Sequence, residues 1–317
     1  MRYPERAPER SVARAVVYAG LLLHTLLSAG TYLFAKHALT EMPPLPLGLV
    51  RFAGASICLV ALLMRVRPKG QRLPPRRAVR KLLLLALVGV PINQGFFLVG
   101  LSLSTASHAA LIYTLTPLFV LLLAQALSRE APGARTAIGT VLALGGTLYV
   151  LLSRGMAHGG ALAGDLLLLV AVVAWAFYTA EGRELVAEHG PIATIAWTLI
   201  GGTALYLPIG AASLLAPGAA AQVARVSAQG WLGIAYLIVV TSVVSYLLWY
   251  WALAHLPAAR VAIFNNLQPL ATALLAQAIL HERATLSFFA GAAVVIFGVV
   301  LAQSGGRGPP ALPPEPA

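Results

Sequence analysis

The chain contains one cysteine, Cys58, and it lies inside an apolar run. It can form neither an intramolecular disulfide nor a cysteine-based metal site. Acidic residues are nearly as scarce, with ten Asp and Glu against 22 Lys and Arg in 317 residues. Charged residues make up only 10% of the chain, where a soluble globular domain carries about 25%. With 59% hydrophobic residues and a mean hydropathy of +0.83, a water-soluble globule is excluded. The sequence reads as an all-α polytopic membrane protein. No His-Glu-x-x-His and no Gly-x-Ser-x-Gly occurs, so neither zinc-hydrolase nor serine-hydrolase chemistry has its usual residues. No metal, cofactor or catalytic residue is expected.

What is present in excess is positive charge, a formal +12 with a pI of about 10.4. That value would suit a nucleic-acid partner, but in a membrane protein basic residues also collect on cytoplasmic loops. Arg2, Arg6, Arg10 and Arg14 precede an apolar run from Ala15 to Ala35. The run is longer than the roughly 7 to 15 residues of a signal-peptide core, so it reads as a retained first helix.

A crossing takes about 20 apolar residues. The uncharged stretch from Leu82 to Ser128 spans 47 residues. As one helix it would be about 70 Å long, so it must turn back, and Ser102-Leu103-Ser104-Thr105 is the expected turn. The same reasoning places turns at Pro217-Gly218 and at His255-Leu256-Pro257. Ten helices result, near 15–37, 45–64, 82–102, 105–128, 134–153, 162–183, 191–215, 229–253, 258–281 and 285–303.

With both termini inside, 17 basic residues fall on the cytoplasmic face, eight of them between Arg65 and Lys81. Only Lys36, Arg154, Arg225 and Arg283 fall outside, and Arg51 sits within the second helix. This division predicts N-in and C-in orientation in a bacterial-type inner membrane. The basic residues thereby have a topological account. Nucleic acid is not expected as a partner, and the anionic headgroups of the lipid bilayer are the expected contacts of residues 65–81.

The chain also resembles itself at an offset of 152 residues. Pro117, Leu118, Leu122, Leu123, Ala124, Gln125 and Ala126 overlie Pro269, Leu270, Leu274, Leu275, Ala276, Gln277 and Ala278. Without a gap, Glu130 meets Glu282, Gly139 meets Gly291 and Gly146 meets Gly298. Two halves of five helices follow, residues 15–153 and 154–303, with a basic arm at 1–14 and a Gly- and Pro-rich tail at 304–317 expected to be disordered. Because five is odd, the second half must enter the membrane from the opposite side. Inverted repeats of this kind are typical of secondary transporters, where exchange of the two halves' conformations gives alternating access.

These residues resemble the drug/metabolite transporter superfamily, and within it the EamA-type carriers of ten helices and two repeats. The resemblance covers about residues 15–303. It rests on the Pro-Leu-x3-Leu-Leu-Ala-Gln-Ala-x3-Glu pattern of both halves, the paired glycines, Lys36-His37-Ala38-Leu39, Arg51-Phe52 and Gly164-Asp165-Leu166. Arg129-Glu130-Ala131-Pro132 departs from the simpler glutamate turn of family members. The resemblance implies a carrier of small organic metabolites, most simply an exporter of an amino acid or related solute.

Candidate site residues are polar groups at membrane depth, which must face a cavity or a partner helix. No carboxylate is expected at the bilayer centre, so neither a midplane acidic proton relay nor a carboxylate cage for sodium is expected. If transport is coupled to protons, His24 is the group that titrates near neutral pH; its other role is a bond to a neighbouring helix. Arg51 has three roles open to it: snorkelling to the surface, pairing with a helix end or carbonyl, or binding an anionic group.

Pro117 and Pro269 remove the backbone bonds that would reach the carbonyls of Tyr113 and Asn265. Around these kinks stand His108, Tyr113 and Thr116 in helix four, and Asn265, Asn266 and Gln268 in helix nine. Pro91, Asn93 and Gln94 come from helix three, Tyr246 and Trp249 from helix eight with Ser245 and Tyr250, and Trp175 and Tyr178 from helix six. Together they predict a polar, aromatic-walled cavity suited to a neutral or zwitterionic small-molecule substrate. Gly139, Gly146, Gly291 and Gly298 are expected where helices pack closely. A multidrug exporter is the second reading, and an intramembrane enzyme or a purely structural membrane protein are the readings outside transport. Substrate, direction, coupling ion and oligomeric state are not encoded in these patterns.

Overall fold

The computed structural model describes residues 14–66, 73–128, 133–153, 159–269, 271–272, 275 and 286–305. Among these, every regular element is helical. Helix α1 spans Arg14–Glu41, α2 Pro44–Val66 and α3 Arg76–Leu103. Helix α4 has two pieces, Ala106–Tyr113 and Thr116–Ser128, and α5 is Ala134–Ser153. In the second half α6 is Gly159–His189, α7 Pro191–Ser213 and α8 Ala228–His255. Segment α9 begins as Ala258–Ala262 and tightens into a 3₁₀ turn at Ile263–Leu267, and α10 is Leu286–Gly305.

Seven helices of the described residues, α1, α2, α3, α6, α7, α8 and Ala106–Leu123 of α4, are long and apolar enough to cross a membrane. Helices α5 and α10 have 20 residues each. The basic arm, residues 67–72, the loop at 129–132, most of the Leu270–Glu282 motif and the tail beyond Gly305 lie outside the described residues.

Local sequence explains the boundaries. Pro44 and Pro191 open their helices at positions where an N–H would have no partner. Gly190 makes the tight joint between α6 and α7 at φ 78°, a conformation a side chain would strain. Ser227 caps α8, its hydroxyl accepting from the Gly230 N–H at 3.0 Å. The Glu41 carboxylate in turn accepts from the Ser227 N–H at 2.6 Å and its hydroxyl at 2.8 Å. Several helices run past their expected ends, α1 to Glu41, α3 back to Arg76 and α6 on to His189. Hydropathy marks where lipid ends, whereas a helix satisfies its own backbone in water as well.

Helix α4, expected as one rod from 105 to 128, is broken. The Thr114 and Leu115 N–H groups reach back only three residues, to Leu111 at 3.0 Å and Ile112 at 3.1 Å. The break falls where the Pro117 ring would clash with the Tyr113 carbonyl. Helices α3 and α8 each widen into a π-helical stretch, at Val88–Gln94 and Tyr236–Ser245. The 152-residue offset superposes Val88–Gln94 on residues 240–246, so the two wide turns occupy matching places.

Packing follows the repeat. Helix α1 lies against α8 as α6 lies against α3, while α2 pairs with α7 and α5 with α10. Exchanging the halves maps each pairing onto another or onto itself. The α5–α10 seam depends on absent side chains: a Cβ at Gly139 would stand 2.5 Å from the Gly298 carbonyl oxygen, and one at Gly298 would stand 2.5 Å from the Ala143 nitrogen. Gly146 packs against Val294 and Val295, and Gly291 is buried on α10.

Candidate functional site

At the centre, where α1, α2, α3, α4, α6, α8 and α9 meet, a cavity of about 50 Å³ remains. That is room for a water or two. Of the expected residues, His24, Arg51, Gln94, Tyr113, Trp175, Tyr246, Asn265 and Gln268 line it. Five aromatic rings, those of Tyr32, Phe97, Tyr113, Trp175 and Tyr246, form much of the wall.

Two chains of side-chain hydrogen bonds order the lining. In the first, Arg51 Nη1 donates to Gln94 Oε1 at 3.1 Å. That fixes the amide so that Gln94 Nε2 donates to Asn93 Oδ1, and Asn93 Nδ2 donates to the Ala171 carbonyl at 2.6 Å and to the Tyr113 hydroxyl oxygen at 3.0 Å. In the second, the Tyr32 hydroxyl donates to Gln268 Oε1 at 3.0 Å and Gln268 Nε2 donates to Asn265 Oδ1 at 3.2 Å. Each chain ties one half's kinked region to another helix. An interhelical bond of this type contributes about 0.6 kcal/mol on average, so the chains orient groups more than they stabilise the bundle.

His24 is held at both ring nitrogens. Nδ1 lies 2.9 Å from the Ser245 carbonyl oxygen, an acceptor, so Nδ1 carries the proton. Ser28 Oγ stands 3.3 Å from Nε2 and 2.9 Å from Ser245 Oγ, and the Trp249 ring centroid lies 4.8 Å from the imidazole. The bond to a neighbouring helix is therefore present, on a residue that also faces the cavity.

Arg51 does not snorkel; only 1% of it is exposed. Nε donates to Ser242 Oγ at 2.9 Å, the guanidinium meets the Tyr246 hydroxyl, and its carbon lies 4.8 Å from the centroid of the Phe52 ring. Placing a charge among neutral partners costs on the order of several kcal/mol after relaxation.

The remaining expected residues lie elsewhere. Asn93 stands behind Gln94. Tyr178 bonds Thr198 at 2.9 Å and stacks on Trp175, and Trp249 backs the wall between His24 and Trp175. Asn266 is buried away from the cavity, and its Oδ1 finds no partner among the described residues. Thr116 Oγ1 donates to the Tyr113 carbonyl at 2.7 Å, and the Asn265 carbonyl accepts the Gln268 backbone N–H. Both carbonyls at the proline kinks are thus satisfied within the helix and are not waiting for a ligand. Of the kink prolines, Pro91 sits inside the π stretch of α3 and Pro117 just after the break in α4; Pro269 is buried at the start of the α9 continuation.

His108 belongs to a second, separate cluster. Its Nδ1 is 3.3 Å from Asp165 Oδ2, Ser104 Oγ donates to Asp165 Oδ1, and Lys36 Nζ donates to the Leu101 carbonyl at 2.9 Å. Near in sequence His108 has no acidic companion, but α6 supplies one from 57 residues away. Asp165 is only 1% exposed, although it stands near the end of its helix.

Ser28, Thr31, Tyr32, Phe97 and Thr241 line the cavity without having been expected there. A signal existed in α1: His24, Ser28 and Thr31 follow i, i+4, i+7 spacing and so share one helix face. Tyr32, one residue after Thr31, carries no comparable sequence signal.

The chain matches the EamA-like transporter family over residues 15–152 and again over 162–303. It is 29% identical to an uncharacterized transporter of Archaeoglobus fulgidus over 284 residues, 89% of this chain and 95% of that protein. The uncharacterized transporter YyaM of Bacillus subtilis is 26% identical, covering 90% and 93%. The uncharacterized inner membrane transporter YedA of Escherichia coli K12 is 24% identical, covering 91% of each. A chain of known crystal structure superposes with a TM-score of 0.66 at 19% identity, covering 93% of this chain and all of that one, and so shares the fold.

A helical integral membrane protein with these relatives is a membrane transporter. The chain belongs to the EamA-like transporter family, whose two tandem matches fit two repeats.

Proposed function

We propose that the protein exports an amino acid or related neutral or zwitterionic solute across the inner membrane by alternating access. The observation that carries this reading is the central cavity, lined by side chains from both halves and set among helices that pair according to the repeat. In this reading the chain crosses ten times as two inverted five-helix repeats, with both termini in the cytoplasm, and export follows the family resemblance. In this reading the small cavity belongs to one state of the cycle, and exchange of the wide turns of α3 and α8 between two states opens it to either side.

Counterflow in liposomes tests this reading. Purified protein loaded with an unlabelled amino acid should accumulate the labelled one without forming product. Product formation would indicate an enzyme, and absence of counterflow across the amino acids removes the substrate class. The aromatic wall favours one second reading, multidrug export, for which a hydrophobic dye would exchange where amino acids do not. Replacing the eight basic residues of 65–81 with Gln should invert or abolish the orientation if they set it.

A further inference from the structure

The charge facing the central cavity is positive, and among the described residues no negative charge answers it. Arg51 is the one formally charged side chain of the described lining, and the two ring nitrogens of His24 are engaged by Ser245 and Ser28. Every partner of Arg51 is neutral: Ser242, Gln94, the Tyr246 hydroxyl and the Phe52 ring. Among the described residues no carboxylate pairs with it, the ion pairs there being made by other residues. A buried cation of this kind is stabilised by an anion brought from outside.

The neighbouring groups are arranged as donors. Because Gln94 turns its oxygen to Arg51, the polarity of the chain is set through Asn93 to Tyr113, whose oxygen accepts. The Tyr113 proton is left to donate. The hydroxyls of Tyr113 and Tyr246 both lie within electrostatic reach of the guanidinium. A planar guanidinium fork beside two phenols is the donor set that recognises a carboxylate. The cavity, about 50 Å³, holds a group of that size but not a whole amino acid.

We infer that Arg51, with the Tyr113 and Tyr246 hydroxyls, is the binding site for the carboxylate of the transported solute, so the substrates are amino acids and other organic acids, and cationic amphiphiles are rejected. The inference rests on the transporter reading above and turns it toward solutes that carry a carboxylate, anionic ones included. The same arrangement disfavours organic cations, because the positive charge belongs to the wall itself.

The test compares each common amino acid with its amide, which lacks the carboxylate. Tryptophan fluorescence of the purified full-length protein reads binding, since Trp175 lines the cavity and Trp249 backs it. In chloride-free buffer at least one acid should bind about tenfold or more tighter than its amide, as loss of a charge-assisted bond implies. Arg51→Lys, which keeps the charge and loses the fork, should reduce that preference while the acid still binds. If no acid is distinguished from its amide, the carboxylate site is overturned. It is overturned equally by a response to chloride that carboxylates do not displace. Binding that prefers the acid without any counterflow defeats the transport reading and leaves the site standing. Counterflow that runs as well with the amide defeats the site and leaves transport standing.

Discussion

The wide turns of α3 and α8 occupy matching places in the two halves and are built by different chemistry. In α3 the cause is local, since Pro91 has no N–H to give and its ring pushes the preceding turn open. In α8 no proline is present. There Ser242 Oγ donates to the Leu237 carbonyl five residues back at 2.8 Å, and the Ser245 carbonyl is drawn to His24 of α1. The side chains facing the cavity differ accordingly: the Gln94 amide and the Phe97 ring from α3, the Thr241 hydroxyl and the Tyr246 phenol from α8. Backbone geometry at a matching place is thus retained while the groups it presents diverge. Such π-helical turns are frequent at functional sites, where they redirect side chains.

The largest effect is expected where the halves are most alike. Gly139→Leu would drive a side chain into the backbone of Gly298 and Ala302, and little folded protein should be recovered from the membrane. Gly145→Ala, which meets nothing within 4 Å, should be tolerated or raise stability by up to about 1 kcal/mol. Equal yields of the two variants would break the account of the seam.

Next comes the proline. Pro91→Ala lets α3 close to regular α-helix and turns Asn93 and Gln94 by about 100° per residue gained. Counterflow should fall about tenfold or more with the protein still folded, whereas Ser242→Ala should act less, because His24 still holds the α8 turn. A Pro91→Ala variant with unchanged transport would mean that tertiary contacts, not the proline, shape both turns.

His24→Phe removes the donor to the Ser245 carbonyl and should lower stability by about 1–3 kcal/mol, read as a reduced unfolding midpoint in detergent. A smaller contrast separates the kinks. Thr116→Val strips the hydroxyl from the Tyr113 carbonyl and should cost about 1 kcal/mol. Gln268→Leu leaves the backbone bond to Asn265 in place, and should instead loosen Tyr32 in the cavity wall. The smallest effect belongs to Lys81→Gln. Its bonds to Glu181 and Glu184 tie α3 to α6 at a partly exposed end, and their loss should cost less than about 1 kcal/mol and diminish further in salt.

Much of this was legible in the chain. Hydropathy and punctuation marked α5 at 134–153, where it is found, and the two prolines marked kinks near Tyr113 and Asn265, although not the outright break in α4. The cavity was legible in part: Gln94, Tyr113, Asn265 and Gln268 were named because amides, phenols and prolines stand out in an apolar run. Tyr32 and Thr241 were not, because a tyrosine near a helix end or a threonine mid-helix carries no signal of which way it faces. His108 was misassigned to the cavity for the same reason. Its partner Asp165 stands on another helix, and only the pairing of α4 with α6 brings them together.

What the sequence by itself determined is the class of protein: apolar runs of crossing length, their turns, and the repeat that divides them into two halves. These depend on composition and spacing along one dimension. Which polar groups meet was decided by the tertiary structure alone. Helices that are apolar all round carry almost no record of their rotation, so the contacts of Arg51, His24 and Asp165 arise from how the helices pair. The scarcity of acids, visible from the first count, acquires its meaning only there: a buried arginine at the centre of the bundle has neutral neighbours and a cavity in front of it.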